Sequence, residues 1–179
     1  MAQFWRSLLP GSNAVAVGAG AAYASSTTLT DVSPAPQITL AANSLYVGQR
    51  LRVHGHGIFS NTGTPTLLFG IYYGGVAGTA LAATGATTTT TGATSWPFSV
   101  DLEIQVKSVG SSGTVWCNGL VNLGTSLTAT TPIWLPSTQS QPITINTTTA
   151  NALTLGAQWG TNSASNTLTV EDFYGETLA

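Results

Sequence analysis

The chain has 179 residues and a formal net charge of −2, and only 6% of its residues are charged, against about 25% in an ordinary soluble protein. Its four Lys and Arg residues cannot form the basic track that neutralises phosphates, so we expect no direct nucleic-acid partner. Intrinsic disorder is excluded, because 42% of the residues are hydrophobic and disordered chains combine low hydrophobicity with high charge.

Abundant Thr, Ser and Gly together with few charges indicate a β-protein whose solvent faces carry Thr, Ser and Asn. Such a surface relies little on charge to stay monomeric, which favours a subunit whose surfaces meet other protein. The length suits one domain. Cys117 is the single cysteine, and we interpret it as a small buried hydrophobe.

Residues 1–36 are predicted to form an N-terminal arm or edge segment, and 37–179 a β-sandwich. An apolar, Gly-rich terminus needs anchoring to stay ordered. We expect it to lie along its own body or a neighbouring subunit, with an ordinary first strand as the alternative. The predicted anchoring and interface residues of this segment are Phe4, Trp5, Arg6, Leu8 and Leu9.

A signal peptide and a membrane span are not expected. Ala22, Tyr23 and Ala24 are similar to a cleavage site, but the turn-forming stretch 10–13 interrupts the apolar run before them. No run approaches the roughly 18 apolar residues that span a bilayer. We therefore expect no membrane partner.

The stretch 47–75 contains two β-leaning runs, 51–59 and 66–73, joined by a turn-rich segment. This pattern predicts a hairpin. In the first run, strand alternation puts four polar side chains on one face, namely Arg50, Arg52, His54 and His56. The Thr-rich segment 84–94 that follows is predicted to be a flexible or edge loop, with O-glycosylation or a receptor contact as alternatives.

Residues 99–107 alternate cleanly and predict a strand with Asp101, Glu103 and Lys107 facing outward. Because opposite charges on neighbouring strands attract, we expect Asp101 and Glu103 to lie close to Arg50 and Arg52, within one polar face or across a subunit boundary. This set, with His54 and His56, completes the predicted interface.

The remaining segments also predict strands. Residues 114–123 return after a turn, 142–146 form a short strand, and 153–159 and 166–174 are predicted to close the fold as a pair. About eight to ten short strands with intervening turns and no convincing helix indicate an all-β protein. We predict a jelly-roll-like antiparallel β-sandwich with an extended N-terminal arm.

The pair His54 and His56 is the one metal-like pattern. With Gly48 it matches the opening of the cupin motif, but Ser60 and Asn61 stand where that motif needs a glutamate, and a third histidine is missing. A catalytic zinc site uses three protein ligands, and Arg52 on the same face would repel a dication. We therefore expect no metal and no cofactor.

Enzymatic chemistry has no other support in the sequence. Asp101 with Glu103, or the acidic residues 171, 172 and 176, could in principle form a glycosidase pair, but adjacent acids on strand exteriors are usually solvated. No nucleophile elbow is present. The five tryptophans could form a sugar platform, although in a β-sandwich such residues are more often core or interface. We expect a protein that is not an enzyme.

Three segments carry a family resemblance: VGQRLRVHGHGIFSNTGTPTLLFGIYYGG, LEIQVKSVGSSGTVWCNGLV and LTLGAQWGTNSASNTLTVEDFYGETL. They resemble small jelly-roll virion proteins of tailed actinobacterial phages, of the minor capsid, head decoration or tail-associated type. The resemblance implies a structural module, usually trimeric, on the outside of the particle, with no catalytic residues.

The expected function is capsid decoration: a cement protein, forming a homotrimer, that binds the major capsid protein on the capsid exterior. The alternative is a tail-fibre or minor tail module that binds a host-surface glycan.

Overall fold

The computed structural model of the chain describes residues 6–9 and 20–178. These residues form fourteen β-strands and no helix, which confirms the all-β class. In chain order the strands are β1 (Arg6–Leu8), β2 (Tyr23–Ala24), β3 (Thr30–Asp31), β4 (Ile38–Leu40), β5 (Arg50–Ser60), β6 (Thr66–Tyr73), β7 (Thr79–Ala83), β8 (Thr87–Thr88), β9 (Trp96–Ser108), β10 (Gly113–Gly124), β11 (Thr130–Leu135), β12 (Ile143–Ile145), β13 (Asn151–Trp159) and β14 (Thr167–Leu178).

The strands form two antiparallel sheets. The larger sheet has β14, β5, β9 and β10 at its centre, with β1 and β2 beside β14 and with β11 and β12 beside β10. The smaller sheet has β13 and β6 at its centre, with β3 and β4 beside β13 and with β7 and β8 beside β6. Every edge therefore consists of two short strands, which avoids the long flat edges that promote aggregation.

The order of the strands is that of a jelly roll. The last two long strands insert between early ones: β14 lies between β1/β2 and β5, and β13 lies between β3/β4 and β6. This interleaving of the two chain ends across two packed sheets is the jelly-roll arrangement. The strands β10, β11 and β12 extend the larger sheet beyond β9. The predicted jelly-roll sandwich is thus confirmed.

Aromatic side chains fill the space between the two sheets. The rings of Phe69 on β6 and Phe98 on β9 lie 4.8 Å apart, and those of Phe59 on β5 and Trp159 on β13 lie 6.5 Å apart. All four residues are almost completely buried. Each such contact joins one sheet to the other, and burying a side chain of this size stabilises the fold by about 1.5–3 kcal/mol.

Two strand pairings predicted from the sequence are wrong. β5 and β6 do not form a hairpin, because β5 belongs to the larger sheet and β6 to the smaller. The predicted closing pair fails in the same way, since β13 and β14 lie in different sheets. Each of these strands has its own row of core-facing residues, and the rows of consecutive strands face each other across the sandwich instead of lying side by side.

The described part of the N-terminal segment lies on its own body. β1 pairs with the end of β14, and the Leu9 amide donates to the Gly175 carbonyl at 2.7 Å. Leu9 itself is buried in the core. β2 and β3 add to the edges of the larger and smaller sheets. Of the alternatives left open by the sequence, residues 6–9 therefore take that of a first strand on its own sheet.

The loop between β11 and β12, residues 136–142, closes one side of the sandwich. It lies next to residues 116–118 of β10, which pair with neither β11 nor β12. There the Cys117 amide donates to the Gln141 side-chain oxygen at 3.0 Å. On the smaller sheet, the Ala83 amide donates to the Gln139 side-chain oxygen at 2.7 Å. The loop thereby bonds to both sheets and satisfies backbone groups that a longer strand would otherwise pair.

Candidate interaction surface

The outer face of the larger sheet carries most of the charged side chains. Strand register places them in rows that cross the sheet. One row contains Asn118, Glu103, Arg52 and Glu176, and the next contains Leu120, Asp101, His54 and Tyr174. Side chains opposite each other on one face are close enough to interact. We call this surface the open face.

Ion pairs cross from β5 to β9 on the open face. Arg50 contacts Glu103 at 3.0 Å and Arg52 contacts Asp101 at 3.1 Å. The predicted proximity of these arginines and carboxylates is therefore confirmed within a single chain. All four side chains are about a third to a half exposed, so each pair contributes at most about 1 kcal/mol. Their main effect is to leave the face nearly neutral.

The two histidines point to carboxylates on opposite neighbouring strands. His54 Nδ1 lies 2.8 Å from Asp101 on β9, and His56 Nδ1 lies 3.9 Å from Asp172 on β14. The hydrogen bond from His54 and its charge, together with Arg52, hold the pKa of Asp101 below its ordinary value despite partial burial. Among the residues that the structure describes, no group of three His, Cys, Asp or Glu side chains is placed to hold a metal ion.

Cys117 lies under this face, on the core side of β10. It is 1% exposed, and burial raises the pKa of its thiol to about 12. Such a thiol stays protonated and unreactive at neutral pH. The interpretation of Cys117 as a small buried hydrophobe is confirmed.

Two tryptophans project from the open face. Trp116 on β10 is 48% exposed and Trp134 on β11 is 71% exposed. Trp134 lies opposite Leu120 and Trp116 lies opposite Gln105. By contrast, Trp159 is buried in the core, and the partly buried Trp96 packs against the core. Exposing two indoles on the same face of a sheet is unusual, because such residues are normally buried or held in an interface.

Two shallow depressions lie between these tryptophans. The first, of about 300 Å³, is lined by Trp134, Leu120, Asp101, Arg52 and others. The second, of about 220 Å³, is lined by Trp116 and Gln105. Both also contact Glu103 and Asn118. The two depressions therefore adjoin at Glu103 and Asn118. We call the pair the groove; Trp134 lies at one end of it and Trp116 at the other.

The outer face of the smaller sheet is covered by its own residues. Tyr72 is only 6% exposed, and its ring lies over Gly70 and Gly156 so closely that a Cβ at either glycine would collide with it. Val76, from the turn after β6, also covers Gly156. The two outer faces thus differ, and the open face is the one whose aromatic residues remain accessible.

A further exposed apolar group lies at one end of the sandwich. Tyr46, Val47 and Val109 are each between 45% and 62% exposed. Their loops are held together, since the Gly48 amide donates to Val106 O at 2.9 Å and the Thr147 amide donates to Gly110 O at 3.0 Å. We call this group the apolar end. Leu127, 72% exposed, follows β10 and lies at the opposite end.

The predicted interface residues occupy different places. Arg50, Arg52, His54, His56, Asp101 and Glu103 share the open face. Leu9 is buried in the core, and the backbone of Arg6 and Leu8 pairs with β14. Phe4 and Trp5 lie outside the described residues.

The sequence interpretation missed the groove. The alternation in 114–123 puts Trp116 and Asn118 on the same outer face, and it could have indicated their proximity to Glu103. The sequence around Trp134 does not predict a strand, because Pro132 and the neighbouring threonines are untypical of a regular alternating strand such as β9.

Comparisons with known proteins give no match: no family model, no curated protein and no solved structure matches the chain. In the described part there is no helix long and apolar enough to cross a membrane.

Proposed function

We propose that this chain is a structural virion protein: a capsid decoration, or cement, protein that binds the outside of a phage head and stabilises it without catalysis. Its partners are the major capsid protein and two further copies of itself. Stabilisation comes from burial of apolar and Thr-rich surface between the subunits and the shell, since apolar burial contributes roughly 25 cal/mol per Å².

The observation that carries the proposal is where the three phage-like segments lie in the fold. They contribute β5 with β6, β9 with β10, and β13 with β14, which are the six longest strands. The resemblance therefore falls on the framework of the jelly roll and not on scattered loops. Short edge strands and a chain in which only 6% of the residues are charged also suit a subunit packed against other proteins.

The apolar end is the surface we assign to the shell. Tyr46, Val47 and Val109 offer large apolar side chains on loops that backbone hydrogen bonds already order. Docking through ordered loops costs less conformational entropy than docking through flexible ones. Tyrosine is among the residue types that carry most of the binding energy at protein interfaces, and the two valines add apolar area beside it.

A head-binding experiment tests this assignment. Purified protein is mixed with DNA-filled heads that lack it, and binding is measured by co-sedimentation. The proposal predicts saturable binding. It also predicts that heads with the bound protein stay intact to a higher temperature than heads without it. Val47→Asp should weaken binding at least about tenfold, because it places a charge in the apolar contact.

The matched control is Leu127→Asp, which adds the same charge at the opposite end. It should leave binding unchanged. Equal loss in both variants would remove the apolar end as the docking surface, and no binding by the unaltered protein would remove the decoration function itself.

A second candidate is a tail-fibre or minor tail module that binds a host-surface glycan. The exposure of Trp116 and Trp134 on the open face favours it. The two candidates differ in copy number, because decoration proteins occupy the shell in hundreds of copies and tail modules are present in few.

A further inference from the structure

We propose that the groove on the open face is a binding site for a neutral oligosaccharide. The proposal does not rest on the capsid assignment, because a decoration protein and a tail module could each carry such a site.

The placement of the two indoles suits an extended ligand. Trp116 and Leu120 stand four residues apart on β10, which at about 3.4 Å per residue is roughly 14 Å along the strand. Trp134 lies beside Leu120 on the next strand. The indoles are therefore too far apart to hold one small ring between them. They suit an extended chain, with one sugar ring stacked on each exposed indole through its apolar C–H face.

Side chains that can form hydrogen bonds lie between the two indoles. Glu103 and Asn118 line both halves of the groove. The Asn118 amide can donate and accept, and a carboxylate accepts at two oxygens. Arg50 contacts Glu103 through Oε1 at 3.0 Å, and the second carboxylate oxygen of Glu103 can accept a hydrogen bond from a hydroxyl. Sugar hydroxyls need this mixture of donors and acceptors close to an apolar platform.

The charges in the groove favour a neutral ligand. The carboxylates of the groove are matched by arginines, because Arg50 pairs with Glu103 and Arg52 pairs with Asp101. A phosphorylated or acidic ligand would meet Asp101 and Glu103, and a basic peptide would meet Arg52. A polyhydroxylated neutral chain meets no uncompensated charge. The nearly neutral lining therefore favours sugars over charged polymers.

The shape of the site also suits a polymer. The groove is open and shallow, and its central residues lie on β9 and β10, which have neighbouring strands on both sides, while Trp134 lies on the edge strand β11. Open grooves on rigid strands allow a polymer to bind along its length without a terminus having to enter a pocket. Since little of the protein needs ordering, the entropic cost of binding falls mainly on the sugar.

Tryptophan fluorescence and calorimetry on the full chain test the site. The probes are cellohexaose, xylohexaose and mannohexaose, with hexagalacturonate as the charged comparison. We expect at least one neutral hexamer to bind with a Kd of roughly 1 mM or tighter, to bind better than its disaccharide, and to bind better than hexagalacturonate. Absence of binding by all three neutral hexamers at concentrations of about ten times that Kd overturns the proposal.

Variants locate the binding. Trp116→Ala and Trp134→Ala should each weaken it at least about tenfold, and Asn118→Ala should weaken it less. Tyr46→Ala removes an equally exposed aromatic residue from the apolar end and should change nothing. All four residues are exposed, so far-UV circular dichroism should show an unchanged fold.

The outcome is separable from that of the capsid proposal. If the tryptophan variants lose head binding while no hexamer binds the unaltered protein, the open face is a protein contact and the oligosaccharide site is wrong. If hexamers bind and heads do not, the site stands and the decoration function fails.

Discussion

Gly57 shows how closely single residues are constrained in this sheet. A Cβ at this position would collide with the Thr169 carbonyl oxygen and would lie 2.8 Å from the Phe98 ring. Thr169 lies just before a bulge in β14, where the register shifts between Val170 and Asp172. A glycine inside a strand often marks a bulge or a close approach of another part of the chain. The structure places the bulge opposite it, and the aromatic residue comes from β9 of the same sheet.

Gly57→Ala should therefore lower the free energy of unfolding by roughly 1–3 kcal/mol, as other overpacking substitutions do. Gly85→Ala is the matched control, since nothing lies within 4 Å of its added Cβ. Urea unfolding at pH 7 measures both. Equal stability of the two variants would contradict the close approach of β14 at Gly57.

Asp101 links stability to pH on the same face. Its pKa lies below the ordinary 3.8, because His54 and Arg52 favour the charged form. A carboxyl whose pKa is lowered in the folded state contributes stability above its unfolded pKa, and that contribution is lost as the pH falls through the folded pKa. The loss therefore belongs to the acid range below about pH 4, and the contribution is complete at neutral pH.

Asp101→Asn should destabilise the protein by about 0.5–1 kcal/mol at pH 7, a value suited to a partly exposed ion pair. It should cost less as the pH falls toward 3. Urea unfolding at pH 7, 5 and 3 checks this, with Glu171→Gln on the exposed bulge of β14 as the control. A penalty that grows on acidification would contradict the assigned role.

At the scale of elements, the connection from β5 to β6 shows why strand pairing escaped prediction. The turn-rich residues 60–65 are compatible with a hairpin. Asn61, however, is buried, and its side chain forms hydrogen bonds to the Thr-rich segment 84–94. Its side chain donates to Thr89 Oγ1 at 2.6 Å and accepts from the Ala93 amide at 2.8 Å. A side chain that anchors one loop to another is not visible in local sequence patterns.

The Thr-rich segment is correspondingly more ordered than its composition suggests. β8 forms an edge strand on β6, and both Thr84 and Thr89 are buried and hydrogen-bonded. Within the predicted flexible or edge loop, Thr87–Thr88 therefore forms a short edge strand.

Asn61→Ala should release this segment, because it leaves the Ala93 amide without its acceptor and removes the bond to Thr89. An unsatisfied buried group costs roughly 1–3 kcal/mol. Hydrogen exchange should show faster exchange at Ala93 and at neighbouring amides. Thr91→Ala, an exposed position in the same segment, is the control and should leave exchange unchanged. Equal protection in both variants would contradict the anchoring role.

Local alternation predicted the strands well and their partners poorly. The clean alternation of 99–107 predicted β9, and the opposite charges on β5 and β9 predicted that they are neighbours. Both features depend on residues within one strand or on simple attraction. The sheet to which β6, β13 and β14 belong depends on how the core-facing rows pack, and neighbouring sequence does not encode that directly.

At the scale of the whole molecule, the two outer faces and the two ends have different characters. The smaller sheet covers its own outer face with Tyr72, the larger one leaves the groove open, and one end presents Tyr46, Val47 and Val109. A module that docks by its apolar end would hold the open face away from the docking surface. The decoration function and the oligosaccharide site are therefore geometrically compatible.

Copy number per particle tests the central proposal most directly. Quantitative gel analysis of purified virions against the major capsid protein, together with cryo-imaging, gives both the number and the place of this protein. The decoration proposal predicts hundreds of copies, arranged as trimers over the outside of the head. A few copies confined to the tail would contradict it.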